Sequence, residues 1–231
     1  VLTLFVGSLL VGCDSFTRPE PNTPDVLAAT SILEPLVDQQ AVLLTDVGNP
    51  LPGKKGYMHV QGATVQIGDV DFDNREAADS LRTSNDLLRA ANYRTDSLVV
   101  HPGETYDLHV QKEEHTLSGT VTVPDTFHGW AEGRRLIWTE SEGADQYQVH
   151  VEDAADTPFE YLNEYTVTDT SVFVTDDDFT AGSYYVEVYA QDPNLAAFMR
   201  DEADRVGVTG GYGLFGARTL IRGTVELSEK Q

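Results

Sequence analysis

The sequence predicts a mainly β protein with two consecutive β-sandwich domains and one or two short helices. From residue 26 onward, short runs of β-branched and aromatic residues are separated by turn residues, which is typical of strands. Residues 106–110, "YDLHV", alternate between apolar and polar side chains, as in a strand with one buried face. Hydrophobic residues make up 40% of the 231 residues, which is enough for a packed core.

The composition is strongly acidic, with 38 acidic and 15 basic residues and a net charge of −23 at pH 7. This excludes ordinary nucleic-acid binding, because phosphate contacts need clustered Lys and Arg. It also argues against electrostatic attachment to anionic lipid. A large charge of one sign keeps a protein soluble at high salt. The composition therefore indicates a halophilic source, with an acidic secreted protein as the alternative.

The N-terminal stretch "VLTLFVGSLLVG", residues 1–12, is almost entirely apolar or small. It is too short to span a bilayer as a helix, and its length suits the apolar region of a secretory signal. The following "LVGC" resembles a bacterial lipobox and contains the only cysteine of the chain. This resemblance implies that residues 1–13 are a lipoprotein signal peptide ending at Cys13, which carries the lipid. The alternative is an ordinary signal peptide with an incidental cysteine.

Residues 14–25, "DSFTRPEPNTPD", contain three prolines and no apolar periodicity. Pro-rich segments are extended, semi-rigid spacers of about 3 Å per residue. We therefore expect a tether that holds the folded body clear of the membrane. Whether this is the inner or the outer membrane stays open at this point.

Residues 26–125 are expected to form the first sandwich. "HPGE" at 101–104 is a tight-turn signature, because Pro fixes φ and Gly accepts positive φ. A polar segment near 74–94 interrupts the strands, and its weak apolar spacing predicts a helical insertion that Asn74 caps.

Residues 126–231 are expected to form the second sandwich. "RRLIWTESEGADQYQVHVED" predicts two strands around a turn, and "EYTVTDTSVFVT" and "GSYYVEVYAQD" supply more. A short helix is predicted near 194–206, with Asn194 as its cap. Its expected apolar face consists of Leu195, Phe198, Met199 and Val206.

The second block resembles a fibronectin type III-like module. The resemblance lies in Leu136-Ile137-Trp138, in Tyr147-x-Val149-x-Val151, and in Gly182 followed by Tyr184-x-Val186-x-Val188-x-Ala190. It implies that Trp138 is the core tryptophan and that Tyr147 belongs to the same core. It also implies that Tyr184 is the corner tyrosine, which bonds back to the backbone.

The first block is similar to transthyretin-like or carboxypeptidase-regulatory-like sandwiches, through "VQGATVQIGD", "PGETYDLHV" and "VTVP". The whole order of lipobox, tether, sandwich and fibronectin-like module resembles an uncharacterised family of Bacteroidota-type envelope lipoproteins. The resemblance implies a lipid-anchored cell-envelope protein, in the outer membrane of a Gram-negative bacterium. It also implies a non-catalytic accessory, often found beside TonB-dependent outer-membrane transporters.

One acidic cluster invites a metal interpretation. In "DVDFDN", Asp69, Asp71 and Asp73 recur at period two, so one strand face would carry three carboxylates. Calcium prefers such oxygen ligands, but the EF-hand pattern fails here, and a solvated acidic face is the favoured interpretation. For "DDD" at 176–178 a loop is the favoured interpretation, with calcium binding as the alternative.

The other candidate motifs favour structural roles. The Gly-rich stretch at 207–218 precedes a strand instead of opening a helix, so we expect a flexible connection whose Tyr212, Leu214 and Phe215 fill a gap between sheets, not a nucleotide loop. The six histidines lack zinc-site spacing, and solvent-facing positions are expected. They are His59, His101, His109, His115, His128 and His150.

The sequence therefore predicts a binding or scaffolding protein without catalytic residues or a cofactor. The expected partner is a membrane through the lipid, together with an outer-membrane transporter, a polysaccharide or another surface protein. Two alternatives stay open. An envelope glycan hydrolase needs a pair of carboxylic acids lining a cleft, and a calcium-dependent adhesion module needs a metal site.

Overall fold

The computed structural model describes residues 26–46, 58–75, 90–153, 163–174, 181–202 and 205–228. Within these residues the protein is mainly β, with eighteen strands and one α-helix, as the sequence predicts. The elements are β1 (Leu27–Leu33), β2 (Gln40–Asp46), β3 (Met58–His59), β4 (Thr64–Ile67), β5 (Val70–Asp71), β6 (Asp73–Asn74), β7 (Tyr93–Thr95), β8 (Thr105–Lys112), β9 (His115–Thr122), β10 (Gly129–Glu132), β11 (Arg135–Trp138), β12 (Gln146–Asp153), β13 (Asn163–Val167), β14 (Ser171–Phe173), β15 (Gly182–Gln191), α1 (Pro193–Met199), β16 (Arg205–Val206), β17 (Val208–Thr209) and β18 (Tyr212–Leu227).

The described strands form three sheets. The largest has ten strands in the order β13-β12-β15-β18-β1-β2-β7-β6, with β16 added to β18 and β3 added to β2. A five-stranded sheet, β17-β9-β8-β4-β5, and a three-stranded sheet, β10-β11-β14, complete the fold. Each smaller sheet shares a hydrophobic core with one part of the large sheet, which gives two sandwiches.

The first core joins β1, β2 and β7 to β4, β8 and β9. Along β8 the burial alternates strictly, so that Tyr106, Leu108 and Val110 are buried between exposed neighbours, and the predicted alternation is confirmed. The predicted turn at 101–104 is also present, with Gly103 at a φ of 78°. The Gly103 N–H donates to the Val123 carbonyl at 2.9 Å, which closes the end of the strand pair.

Strand β18 connects the two cores. Its first part, Tyr212–Ala217, pairs in parallel with β1, and its second part, Arg218–Leu227, pairs antiparallel with β15. Phe215 and Ala217 consequently belong to the first core, although they lie in the sequence predicted for the second sandwich. The prediction of a flexible connection at 207–218 is wrong, whereas Leu214 and Phe215 are buried as expected.

Glycine explains why this stretch is a strand. Gly213 has a φ of 115°, and a Cβ there would overlap the carbonyl oxygen of Ala29 on β1. The absence of a side chain lets the two backbones approach closely enough to pair. The Gly-rich composition therefore indicates close backbone contact here and not a loop.

The predicted helical insertion near 74–94 is wrong at Asn74 and at Tyr93, which lie in strands, whereas Ala90 within it is helical. Asn74 does not cap a helix, because it lies in β6 and pairs with Tyr93 of β7. The Asn74 Nδ2 donates to Tyr93 Oη at 3.1 Å, and the Tyr93 ring is fully buried in the first core. The middle of the predicted helix, residues 76–89, lies outside the described residues.

The second predicted helix is present but shorter, at Pro193–Met199 instead of 194–206. Asp192, and not Asn194, is its N-cap and accepts from two backbone N–H groups of the first turn. Of the expected apolar face, Leu195 is buried, Val206 lies on β16, and Phe198 and Met199 are 40% and 52% exposed. No helix in the described part of the chain is long and apolar enough to cross a membrane.

Candidate binding groove

A groove of about 560 Å³ lies beside the second part of β18. This volume is within the range of about 300–1,000 Å³ that is typical of ligand sites. The lining residues come from the turn after β1, from β10 and β11, and from β18, with two valines of β15 beneath them. They are residues 34–37, 127–130, 136–138, Val186, Val188 and 220–225.

One wall of the groove is an open edge of the large sheet. Strand β1 pairs with β18 as far as Leu33 and Ala217, and the chain then leaves the sheet at Glu34-Pro35. Residues Arg218–Val225 of β18 therefore pair with β15 on one side, and none of the described strands pairs with them on the other. We call this side of 218–225 the open edge.

The turn that follows β1 forms a second wall, and two polar contacts fix its position. Arg218 Nε donates to Glu34 Oε2 at 2.7 Å, and Gln40 Nε2 donates to the Glu34 carbonyl at 2.8 Å. Within this turn Leu36 has a φ of 66° and is 98% exposed. A left-handed conformation costs a leucine about 1–2 kcal/mol. The turn therefore presents a large apolar side chain to solvent, although both the left-handed backbone and the exposure of that side chain are unfavourable.

Strand β10 supplies the third wall. Trp130 is 45% exposed, and its indole Nε1 donates to Glu132 Oε1 at 3.2 Å. Next to it, a Cβ on Gly129 would lie 2.8 Å from the Cδ1 of Ile221, so the glycine lets β10 approach β18. Two large, exposed apolar side chains, Trp130 and Leu36, thus line one groove.

The base of the groove is apolar and contains a gap. Leu136 and Trp138 are each 2% exposed, and both belong to the second core. Gly223 lies between Ile221 and Val225 on the same face of β18, and a Cβ built on Gly223 has no atom within 4 Å. This position is unfilled in a strand whose neighbouring side chains pack against the core.

A polar network on the other face of the sheet supports the groove. The Arg218 guanidinium lies 4.3 Å from the centre of the Tyr189 ring, and Tyr189 Oη donates to Glu187 Oε2 at 2.7 Å. Burial raises the pKa of Tyr189, and the hydrogen bond to Glu187 raises it further. Tyr189 therefore stays protonated and donates at neutral pH. Through the hydrogen bond from Arg218 to Glu34, the network fixes the position of the turn that follows β1.

His150 belongs to this network and contradicts the expectation of a solvent-facing histidine. Its side chain is 12% exposed, 3.9 Å from a Glu164 oxygen and 5.4 Å from the Tyr189 ring centre. Burial lowers the pKa of His150, which the carboxylates of Glu164 and Glu187 oppose. The burial arises because β12 is an inner strand, with β13 and β15 on its two sides. Among the other five histidines, His115 is partly exposed, and the rest are exposed, namely His59, His101, His109 and His128.

The structure places the three aspartates of the acidic cluster on separate elements. Asp69 lies in the turn after β4, while Asp71 ends β5 and Asp73 begins β6, so the three do not share one strand. Asp71 Oδ1 accepts from Gln66 at 2.6 Å, and Asp73 Oδ2 accepts from an Arg75 nitrogen at 3.3 Å. The described residues contain no group of three or more His, Cys, Asp or Glu side chains that would hold a metal ion. Residues 176–178 and Cys13 lie outside this part of the chain.

The three aromatic residues expected in the second core are buried there. Trp138, Tyr147 and Tyr184 are 2%, 3% and 4% exposed, and the Trp138 and Tyr147 ring centres are 5.3 Å apart. Tyr147 Oη accepts from the backbone N–H of Ser141 at 3.0 Å. Tyr147 therefore makes a hydroxyl-to-backbone bond of the kind that the fibronectin type III-like resemblance implies for Tyr184.

Sequence reasoning did not identify the groove. A weak signal was present in Gly223, because a glycine inside a strand pattern often marks a close approach or a missing side chain. Leu36 and Trp130 gave no comparable signal, since isolated apolar residues are common on protein surfaces. Only their position around the same open edge distinguishes them.

Comparisons with known proteins give a family and a distant structural likeness. A crystal structure of chicken CNTN1 FN1-FN3 domains is 12% identical to this chain, covers 87% of this chain and 69% of its own, and has a TM-score of 0.27. No curated protein matches. The family described as "Domain of unknown function (DUF4249)" matches residues 14–212. This match spans most of the sequence, and the chain therefore belongs to the DUF4249 family.

Proposed function

We propose that this chain is a non-catalytic cell-envelope protein that binds a partner through the groove and acts as a scaffold or accessory. One observation carries the proposal. Trp130 and Leu36 both line a single groove beside an open sheet edge, and both expose large apolar surfaces there. Exposed apolar patches of this kind mark interaction sites, and aromatic side chains dominate binding energy in such sites.

The titratable groups of the groove favour binding over hydrolysis. Glycoside hydrolysis needs two carboxyl groups on either side of the scissile bond. Among the described residues that line the groove, Glu34 is the one carboxylate, and it is bonded to Arg218. His128 and Arg222 complete the titratable lining. This set provides contacts for a partner but not an acid pair.

The proposed location rests on the N-terminal sequence. A lipid on Cys13 and the Pro-rich segment 14–25 would hold the sandwiches close to a membrane surface. We propose the outer membrane of a Gram-negative bacterium, with a TonB-dependent transporter as the partner. The resemblance to Bacteroidota-type envelope lipoproteins supports this assignment.

Gentle detergent extraction from native membranes, followed by mass spectrometry of the purified complex, tests the proposal. We expect the wild-type chain to carry lipid on Cys13 and to recover an outer-membrane barrel. A variant with Trp130→Ala and Leu36→Ser is expected to lose the barrel. Phe173→Ser is the matched control, because Phe173 is 56% exposed and does not line the groove.

Three results would contradict parts of this proposal. Equal recovery of the barrel by the groove variant would refute the groove as the contact. An intact mass with an unmodified Cys13 thiol would refute the anchor but leave groove binding in place. Turnover of a cell-wall glycan by the purified chain would refute the non-catalytic assignment.

A further inference from the structure

We propose that the groove binds an extended peptide segment of a partner protein, which adds as a strand to the open edge of β18. The inference rests on the proposed function, because it specifies how the groove holds its partner. The bound segment would continue the line of β1 in the large sheet, beyond the point where β1 turns away at Glu34. Strand addition to a sheet edge is a general mode of peptide recognition.

The backbone of the open edge has the orientation that this mode requires. The Asp192 N–H donates to the Ala217 carbonyl at 3.0 Å, so the backbone groups of Ala217 point towards β15. The pairing with β15 then continues without a bulge through Leu227. Ser228 N–H donates to the Gly133 carbonyl at 3.3 Å, on the side opposite β15. Odd-numbered residues therefore bond β15, and even-numbered residues point away from it.

This alternation directs the N–H and C=O groups of Leu220, Arg222 and Thr224 into the groove. Arg222 and Thr224 are exposed, as is Gly223 between them, so the backbone is accessible at the centre of the edge. Main-chain groups of this kind pair with an extended segment regardless of its side chains. Eight residues, Arg218–Val225, offer a length of about 27 Å at about 3.4 Å per residue.

The side-chain environment indicates which segment fits. The gap at Gly223 and the exposed faces of Trp130 and Leu36 favour apolar residues at alternate positions of the segment. Two exposed carboxylates lie near the edge: Glu132, which is bonded to the Trp130 indole, and Glu226, which follows the open edge. Arg222 is an exposed cation on the edge, and Glu34 balances the charge of Arg218. The chain as a whole carries a net charge of −23. Charge complementarity therefore selects an alternating segment with basic residues between the apolar ones.

Two substitutions separate strand addition from other uses of the groove. Thr224→Pro removes an N–H that points into the groove and leaves the hydrogen bonds to β15 intact, which is the position where an edge strand tolerates proline. Thr224→Ala is its matched control, because it shortens the side chain and keeps the N–H. Gly223→Val places apolar atoms in the gap, where an added Cβ has no atom within 4 Å.

The probe is a library of random dodecapeptides displayed on phage and selected against the whole chain. We expect the enriched peptides to alternate apolar and basic residues and to bind the wild type and Thr224→Ala equally. Affinity is expected to fall at least tenfold for Thr224→Pro and for Gly223→Val. Hydrogen exchange provides a direct readout, because a bound peptide should slow exchange at Leu220, Arg222 and Thr224 at least tenfold.

The results that overturn strand addition differ from the results that overturn the proposed function. A library that yields no enriched peptide, or peptides whose affinity Thr224→Pro leaves unchanged, overturns strand addition. Unchanged exchange at the three amides overturns it as well, even when Thr224→Pro fails to fold. If the barrel still depends on Trp130 and Leu36 in these cases, the groove is a binding site that recognises its partner in another way.

Discussion

Phe215→Ala tests whether the two sandwiches unfold as one unit. Phe215 is fully buried in the first core, and its ring packs beside Gly119 of β9. It lies on β18, three residues before the part of this strand that pairs with β15 in the second sandwich. Loss of the ring should therefore weaken the strand that both cores share.

The expected magnitude follows from the burial. Truncating a fully buried phenylalanine to alanine costs about 3–5 kcal/mol through lost transfer energy and the cavity left behind. For a urea m-value of about 3 kcal/mol per M, the unfolding midpoint should fall by about 1–1.7 M. An effect of this size is far larger than the usual uncertainty of a denaturation midpoint.

The tryptophans allow each sandwich to be followed separately. The chain has two, Trp130 and Trp138, and both lie in the second sandwich. Tryptophan fluorescence therefore reports the second sandwich, whereas far-UV circular dichroism reports both. If β18 couples the cores, Phe215→Ala in the first should shift the fluorescence transition as much as the dichroism transition.

The result that refutes this reasoning is a separation of the two probes. A fluorescence midpoint that stays at the wild-type value, with a dichroism curve that divides into two steps, would show that the sandwiches unfold independently. Phe173→Ala serves as the control, because Phe173 is 56% exposed and its loss should change the free energy of unfolding by about 0.5 kcal/mol or less.

Three further predictions concern single side chains. Asp192→Ala should lower the free energy of unfolding by about 1–3 kcal/mol, because Asp192 Oδ1 accepts hydrogen bonds from the backbone N–H groups of Leu195 and Ala217. Asp192→Asn should lower it less, because the amide oxygen still accepts. Chemical denaturation of both variants measures the two effects. Burial lowers the pKa of His150 below its ordinary 6.5 in the folded protein. As the pH falls, the His150 side chain is therefore protonated in the unfolded chain before it is protonated in the folded one, and stability falls as the pH drops below about 6.5. Denaturation at pH 7.5 and pH 5 should show this loss in the wild type and a smaller one in His150→Gln, and equal losses would contradict it. Gly213→Ala should destabilise the folded protein by about 3 kcal/mol or more, because the added Cβ overlaps β1. Gly223→Ala should stabilise the folded protein by about 0.5–1 kcal/mol, because the added Cβ meets no atom. Thermal melts that rank the two variants in the opposite order would disprove the packing argument.

Local features of the fold were predictable from the sequence, because they depend on neighbouring residues. The alternation along β8 and the turn at 101–104 are set by side chains a few positions apart. Burial of Trp138, Tyr147 and Tyr184 was expected from the resemblance to a fibronectin type III-like module. The errors at Asn74 and Asn194 also have a local origin, because a polar residue that caps a helix serves equally well in a strand pair or a turn.

The candidate groove was not predictable, because it depends on which strands become neighbours. Backbone hydrogen bonds pair strands without regard to side-chain identity, so the sequence of β18 does not reveal its partner strands. The residues of β1 and β18 that pair, such as Ala29 and Gly213, are far apart along the chain. The sequence by itself therefore determined local features, such as the strand alternation of β8 and the turn at 101–104, and it did not determine the course of β18 or the burial of His150. The tertiary structure decided that β1 leaves β18 at Ala217, and that departure creates the open edge that lines the groove together with Leu36 and Trp130.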